Sequence, residues 1–149
     1  MEESLAFWRP DLSTGIPEVD GQHRELLAQI AALGHAARTG DVAHAADVLA
    51  YLERYAAEHF ATEERIMWGL GYPDREAHWS LHLSFAVELA GRKADHAANR
   101  SQALLLVDLA EWMDRWLHDH LLVADAEMAR FVRGVGARRA VPSTSGTLP

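Results

Sequence analysis

The fold of this chain is decided by residues 59–82, which read HFATEERIMWGLGYPDREAHWSLH. His59 and Glu63 stand four residues apart before a break rich in glycine, and His78 and His82 stand four residues apart after it. Residues at this spacing on a helix share one face, with Cβ atoms roughly 6 Å apart, so each pair of side chains can bind one centre. The stretch therefore predicts two helices that each present a pair of metal-ligating side chains.

Apolar residues recur at helical spacing on both sides of this stretch and predict four helices. The predicted helices cover about residues 21–38, 42–68, 75–96 and 102–122, and their predicted N-caps are Asp20, Asp41, Asp74 and Ser101. Four helices joined by short connections are typical of an up-down-up-down arrangement. We therefore expect an all-α fold, an antiparallel up-down-up-down four-helix bundle.

The two ends of the chain lack a helical period. Residues 1–20 read as an irregular N-terminal arm that is interrupted by two prolines and a glycine. The segment 134–149 is rich in turn-forming residues towards its end, and we predict that it is a disordered tail. A single domain is therefore expected over residues 1–133, with the arm as part of it.

Composition limits the possible functions of the chain. It has 149 residues, a formal net charge of -8 and no cysteine. The negative charge argues against nucleic acid and anionic membranes as partners, because both attract basic surfaces. The missing thiols exclude disulfides, thiolate zinc sites, iron–sulfur clusters and a cysteine nucleophile. The longest apolar run is far shorter than the about 20 residues that span a bilayer, and we expect a cytoplasmic protein without membrane insertion.

Glu63 is the residue that argues most directly for a bound cation. It lies between Phe60 and Met67 on the predicted apolar stripe of its helix. Burying a carboxylate costs on the order of several kcal/mol of folding free energy unless the carboxylate is paired or binds a metal. The predicted stripes of the four helices carry no lysine or arginine that could pair with it. A metal site is therefore the interpretation that best accounts for Glu63.

Seven candidate ligands share the predicted interior, and they are His23, His59, Glu63, His78, His82, His120 and Asp125. A tetrahedral zinc site takes four ligands, so this number suits two ions that share bridging carboxylates. Imidazoles favour iron, copper, nickel or zinc, whereas carboxylates shift the preference towards iron or manganese. The chain has no Glu-x-x-His motif of the ferritin-type di-iron proteins and no His-Glu-x-x-His motif of zinc proteases.

The motifs of the chain resemble those of the hemerythrins, in particular the single-domain bacterial ones. The resemblance covers about residues 5–132. It rests on Trp8, Gly15-Ile16, DGQHREL at 20–26, HFATEERIM at 59–67, Tyr72-Pro73, the spaced His78, His82 and Phe85, and WLHDH at 116–120 followed by Asp125. All seven ligand positions of the family are filled with the expected residue types.

The resemblance implies a non-haem centre of two iron ions joined by an oxo or hydroxo bridge. His78, His82 and His120 would bind one iron, and His23 and His59 would bind the other, which keeps an open position for dioxygen. Glu63 and Asp125 would bridge the two ions. Members of the family bind dioxygen reversibly, which predicts oxygen storage, delivery or buffering for this chain.

The resemblance also implies a dry pocket at the open iron, which would protect the oxygen adduct. Its expected lining is Phe60, Trp116, Leu117 and Leu121, with Leu26 or Leu27 nearby. Leu117 lies one turn before His120 on the same face, and it is our candidate for the residue that gates entry.

Two details of the fourth helix depart from the family or from regular geometry. Leu121 replaces the more frequent isoleucine, which is a minor change in the shape of the pocket. Met128 replaces an aromatic residue of the animal proteins, and this change predicts a looser pocket. The five-residue step from His120 to Asp125 turns a regular α-helix by about 140°. We therefore predict an irregularity between Leu121 and Asp125.

The remaining histidines, His35, His44, His96 and His118, are predicted to lie on the surface, and Glu64 is predicted to face solvent because it is rotated about 100° from Glu63. Two other functions stay open. The same domain could be an oxygen or redox sensor read by an unidentified protein partner, or an enzyme such as a di-iron oxidase, a peroxidase or a nitric-oxide-handling protein. Carboxylate-rich ligation would favour an enzyme, and the ligands here are mostly histidines.

Overall fold

A computed structural model describes residues 7–98 and 101–140 of the chain. These residues form an all-α four-helix bundle. Its elements are a 3₁₀ turn at Pro10–Leu12, α1 at Pro17–Thr39, α2 at His44–Leu70, α3 at Arg75–Ala97, α4 at Gln102–Trp116, a π-helical segment at Leu117–Asp125 and α5 at Ala126–Ala140. The last three elements run on without a break and together form the fourth rod of the bundle. α1 packs on α2 and α4, and α3 packs on the same two helices.

The first helix begins four residues earlier than predicted. α1 starts at Pro17, where the missing N–H costs nothing because the first turn has no partner for it. Asp20 is therefore not an N-cap. Its carboxylate instead accepts hydrogen bonds from the Thr14 backbone N–H at 2.7 Å, the Thr14 hydroxyl at 2.7 Å and the Ser13 hydroxyl at 2.6 Å. Asp20 thus fastens the arm to the first turn of α1.

Glycines end the first two helices. Gly40 and Gly71 have φ values of 71° and 68°, a left-handed conformation that glycine adopts without steric cost. After Gly71, the Tyr72 N–H donates to the carbonyl of Met67 at 2.8 Å and closes the end of α2. At the start of α4, the Ser101 hydroxyl accepts from the Leu104 N–H at 3.4 Å, which confirms the predicted N-cap.

The chain remains helical beyond the predicted end of the domain. Residues 134–140, predicted as the first part of a disordered tail, continue α5. The Arg133 guanidinium donates to the carbonyl of Thr14 at 2.8 Å and links α5 to the arm. The rest of the predicted tail, 141–149, and the arm before residue 7 lie outside the described residues.

The core consists of two apolar clusters, one at each side of a polar layer. The larger cluster includes Leu52 and Leu109, and the smaller is formed by Met67, Tyr72 and Met128. Met128 is fully buried in the smaller cluster, so the exchange of an aromatic residue for methionine leaves this end of the bundle filled. Among the described residues, no helix has both the length and the apolar character that crossing a bilayer requires.

Candidate metal centre

The polar layer between the two apolar clusters contains all seven predicted ligands. Each is at most 3% exposed to solvent. α1 supplies His23, and α2 supplies His59 and Glu63. α3 supplies His78 and His82, and the π-helical segment supplies His120 and Asp125. The four rods of the bundle thus bring together side chains that are up to 102 residues apart in the chain.

The side chains form two groups that share Glu63. The first group contains Glu63, His78, His82 and His120, and the second contains His23, His59, Glu63 and Asp125. Within each group, the candidate ligand atoms lie within 4.8 Å of one another. Four buried nitrogen and oxygen atoms at this spacing can surround one metal ion, so the layer has room for two ions.

Glu63 divides its two oxygens between the two groups. Glu63 Oε2 lies 3.2 Å from His78 Nε2 and 3.0 Å from His82 Nε2. Glu63 Oε1 lies 3.1 Å from His59 Nε2, on the other side. A carboxylate in this position can bind one ion with each oxygen and bridge them.

Asp125 divides its oxygens in the same way. Asp125 Oδ1 lies 3.0 Å from His120 Nε2 and 3.1 Å from His78 Nε2. Asp125 Oδ2 lies 3.0 Å from His23 Nε2 and 3.8 Å from His59 Nε2. Both carboxylates therefore connect a group of three histidines, His78, His82 and His120, with a group of two, His23 and His59.

The π-helical segment explains how Asp125 reaches this position. A π-helix closes hydrogen bonds from residue i to i+5, so residues five apart lie above one another. His120 and Asp125 are five apart and meet at 3.0 Å. The predicted irregularity between Leu121 and Asp125 is confirmed, and it extends further towards the N-terminus than predicted, to Leu117.

Charge pairing stabilises the buried acids in the metal-free protein. Burial and the nearby Asp125 charge act to raise the pKa of Glu63, but His59 and His120 together hold that pKa well below its usual range. The pKa of Asp125 is likewise low, because His120, His23 and His59 outweigh the effect of burial. Burial acts to lower the pKa of the histidines, yet the carboxylates raise the pKa of His59 to about 10 and that of His78 to about 9. The buried carboxylates and these histidines thus stabilise the charged forms of one another.

Several atoms of the cluster have no hydrogen-bond partner among the described residues. They include His59 Nε2, His120 Nε2, Glu63 Oε1 and Asp125 Oδ1, all of which are shielded from solvent. Their neighbours within the cluster are close, but the directions are poor for hydrogen bonds. Buried polar atoms without partners are rare in native proteins and call for a missing ligand. Metal ions between the two groups would satisfy these four atoms, so the residues present fit a pair of cations.

Two histidines are held from behind by polar side chains. His59 Nδ1 lies 2.7 Å from Gln22 Oε1, and the Gln22 amide donates to the Thr62 hydroxyl at 3.0 Å. His82 Nδ1 lies 3.0 Å from Glu64 Oε1. With Nε2 facing the cluster, Nδ1 carries the proton and donates in both pairs. Such outer hydrogen bonds fix the tautomer and the ring orientation of a metal-binding histidine.

The expectation for Glu64 was wrong. Its side chain is 33% exposed and bonded to His82, so it does not simply face solvent. The 100° rotation from Glu63 points Glu64 towards α3, where His82 lies. A helical wheel of α2 alone shows which residues leave the core face, but it does not show which neighbouring helix they meet. Gln22 is next to the predicted ligand His23 in the sequence, and this position could have marked it as a second residue of the site. Its hydrogen-bond partner His59 lies on another helix, so the sequence alone does not reveal the contact.

Two of the four predicted pocket residues stack on histidines of the cluster, and the other two are buried in the apolar core. Phe60 stacks on His82 with ring centroids 3.9 Å apart, and Trp116 stacks on His120 at 3.9 Å. Both rings therefore cover the group of three histidines. Leu117 and Leu121 are buried. On the other side, Tyr55 stacks on His59 at 4.7 Å, and the sequence pattern had assigned it only to the apolar core.

Leu117 also borders a groove at the surface. The groove has a volume of about 410 Å³ and lies between α1 and α4, where Ile30, Gly34 and Ala110 contribute to its walls. Leu117 is 2% exposed and is one of the residues that line this groove. This position fits the expected role of a gate, which stays a prediction.

The four other histidines lie away from the cluster. His35, His44 and His118 are exposed, and the partly buried His96 pairs with Gln102 at 2.6 Å between its Nδ1 and Oε1. Their positions agree with the predicted surface locations.

Comparisons with known proteins agree with this geometry. Residues 14–132 match the family model described as the Hemerythrin HHE cation binding domain. A bacteriohemerythrin of Pseudomonas paraeruginosa is 34% identical over 128 residues, which are 85% of this chain and 80% of the relative. Bacteriohemerythrins of Stenotrophomonas maltophilia and Clostridium acetobutylicum are 29% and 24% identical, over 87% and 83% of this chain and 83% and 98% of their own lengths.

Proposed function

The chain belongs to the hemerythrin family, and we propose that its cation-binding cluster holds two iron ions that together bind dioxygen reversibly. One observation carries this proposal. Each of the two buried carboxylates, Glu63 and Asp125, places one oxygen beside the three-histidine group and the other beside the two-histidine group. A site for a single ion would not need two acids that are both shared in this way.

The unequal groups give the two ions different tasks. His78, His82 and His120 would hold one ion, His23 and His59 would hold the other, and both acids would contact both ions. The second ion then has one protein ligand fewer than the first. An ion with an open position can take a small molecule, as in catalytic zinc sites that retain one exchangeable ligand. We therefore assign dioxygen binding to the side of His23 and His59.

Iron is the metal that gives this arrangement a function with dioxygen. A pair of ferrous ions held here would supply the two electrons that reversible dioxygen binding requires, whereas zinc has no redox chemistry. The mixed imidazole and carboxylate set suits iron among the first-row metals. The shared acids keep the two ions close enough to act on one molecule of dioxygen.

The protein residues around the cluster control access and proton balance. Phe60, Trp116, Leu121 and the apolar clusters would keep water away from bound ions, which limits side reactions at the site. Gln22 and Glu64 hold His59 and His82 with Nε2 turned towards the ions. Leu117 would open briefly to admit dioxygen from the groove between α1 and α4.

An oxygen-cycling experiment tests the proposed function. The iron-loaded protein is reduced without oxygen, exposed to oxygen and then flushed with argon while the visible spectrum is recorded. We expect a coloured adduct that forms with oxygen, disappears under argon and returns in later cycles. An absorbance that persists under argon, or that decays in one step with no further response to oxygen, would show that binding is not reversible.

Two variants control this experiment. His120→Ala removes one ligand of the three-histidine group and should abolish the coloured adduct. His118→Ala changes an exposed histidine two residues away, in the same helical segment. It should behave like the wild type, and a loss of the adduct in His118→Ala would contradict the assignment of His120 as the ligand.

A further inference from the structure

Two buried tyrosines connect the two-histidine group with the surface. The Tyr55 ring stacks on the His59 ring with centroids 4.7 Å apart and 15° between the planes. Tyr51 stacks on Tyr55 at 6.2 Å and 24°. The exposed Arg54 places its guanidinium 5.6 Å from the Tyr51 ring. Three near-parallel rings, His59, Tyr55 and Tyr51, thus lead from the cluster outwards along α2.

A narrow cleft accompanies these rings. Its volume is about 20 Å³, and its walls include Gln22, His59, Tyr55, Tyr51 and the exposed Arg54 and Glu58. A space of this size holds about one water molecule when polar groups surround it. The stacked rings offer a path for an electron, and a water molecule in the cleft would offer a path for a proton beside them.

A tyrosine phenol has an ordinary pKa of about 10 and keeps its proton at neutral pH. Burial raises the pKa of the Tyr51 phenol further. A phenol that keeps its proton loses an electron and a proton together when it is oxidised. Each tyrosine can thus act as a donor of one hydrogen atom.

We propose, on the premise that the cluster holds iron, that Tyr55 and Tyr51 pass hydrogen atoms from a small phenol at the protein surface beside Arg54 to hydrogen peroxide at the cluster. This is a peroxidase activity in addition to oxygen binding. In each of two rounds, Tyr55 gives one hydrogen atom to the peroxide, Tyr51 restores Tyr55, and the O–H of one phenol restores Tyr51. The sum is H₂O₂ + 2 ArOH → 2 H₂O + 2 ArO•, and the iron ends in the oxidation state in which it began.

The chain offers a matched control for this relay, because it has only three tyrosines. The third, Tyr72, is also buried, but it packs against Phe131 in the smaller apolar cluster. The iron-loaded wild type is mixed with hydrogen peroxide, frozen and examined by electron paramagnetic resonance. We expect a tyrosyl radical in the wild type and in Tyr72→Phe, and its loss in Tyr55→Phe.

The double variant Tyr51→Phe, Tyr72→Phe leaves Tyr55 as the only tyrosine. We expect its radical to form and to outlive the wild-type radical, because the donor that restores Tyr55 is absent. Oxidation of an added phenol should be slow in this variant and in Tyr55→Phe. If Tyr55→Phe loads no iron, the double variant decides, since no radical in it, or a radical that decays at the wild-type rate, overturns the relay.

Two measurements on each sample separate this inference from the proposed function. Iron content and the oxygen-dependent spectrum are recorded before peroxide is added. A protein without iron or without the oxygen adduct contradicts the proposed function. A protein with both that yields no tyrosyl radical, or the same radical in Tyr55→Phe, leaves oxygen binding intact and overturns the relay.

Discussion

Glu63 is the residue on which both metal groups depend. It is fully buried, and its two oxygens face histidines of different groups. His23, by contrast, belongs only to the second group. Loss of a shared ligand should thus weaken the binding of both ions, whereas loss of a ligand that belongs to one group should weaken the binding of one ion.

The first prediction concerns the number of metal ions per chain in two variants. Glu63→Ala should lose both ions on dialysis, because each ion loses a ligand and the buried histidines lose their counter-charge. His23→Ala should retain the ion of the three-histidine group. Metal analysis of the dialysed proteins measures this, with His35→Ala as the surface control. Equal metal content in Glu63→Ala and His23→Ala would contradict the shared role of Glu63.

The second prediction concerns Glu64. Replacement by glutamine keeps a hydrogen-bond acceptor for His82 but removes the charge, and alanine removes both. Removal of a hydrogen-bond partner behind a metal-binding histidine typically lowers the metal affinity by about 10-fold to 100-fold. We expect Glu64→Ala to weaken binding by that amount and Glu64→Gln by less, as measured by competition with a chelator. The exposed Glu111→Gln is the control, and an affinity of Glu64→Ala equal to that of the control would remove Glu64 from the site.

At the scale of the elements, Asp20 determines how the arm joins α1. Burial acts to raise the pKa of Asp20, but hydrogen bonds from Ser13 and Thr14 hold it below its ordinary value. A carboxyl group whose pKa is lower in the folded state stabilises that state above its unfolded pKa. This stabilisation is lost as the pH falls through the folded pKa.

The third prediction follows from the lowered pKa of Asp20 in the folded state. Asp20→Asn should lower the free energy of unfolding of the metal-free protein by about 2 kcal/mol at pH 7, because hydrogen bonds to a charged acceptor are lost. The difference from the wild type should stay constant down to about pH 4 and shrink below it. Urea unfolding at pH 7, 5 and 3.5 tests this. A difference that grows towards low pH would contradict the proposed role of Asp20.

The elements also show what the sequence could and could not predict. The five-residue step from His120 to Asp125 implied an irregular helix, because two ligands of one site must share a face. The start of α1 was missed because Pro17 was read as a breaker, although proline is favoured in a first turn. The contact between Glu64 and His82 was missed since it depends on how α2 and α3 are rotated towards each other. Local patterns do not contain that rotation.

At the scale of the whole molecule, the cluster divides the core into two apolar parts. The apolar stripes of four helices predicted the bundle, and the polar residues on those stripes predicted which side chains meet. The position of Tyr55 on His59 was beyond that analysis, because an aromatic residue on a core stripe looks the same whether it packs on leucine or on a ligand. Seven buried polar side chains lie in one layer, so we expect the stability of the fold to depend on whether metal ions bind there.

The fourth prediction is a loss of thermal stability when the metal is removed. A ligand that binds only the folded state stabilises it, by about 4 kcal/mol at a free concentration of 1,000 times the dissociation constant. For a chain of this size, the melting temperature should fall by roughly 10 °C on chelation. Melting curves by circular dichroism, with and without chelator, measure the shift. Identical curves would indicate that the cluster binds no metal in the folded protein.

Anomalous diffraction at the iron absorption edge tests the central claim most directly. Crystals grown with ferrous iron should show two anomalous peaks in the layer between the two apolar clusters. One peak should lie beside His78, His82 and His120, the other beside His23 and His59, with Glu63 and Asp125 in contact with both. A single peak, no peak, or histidines turned away from the layer would contradict a di-iron centre in this protein.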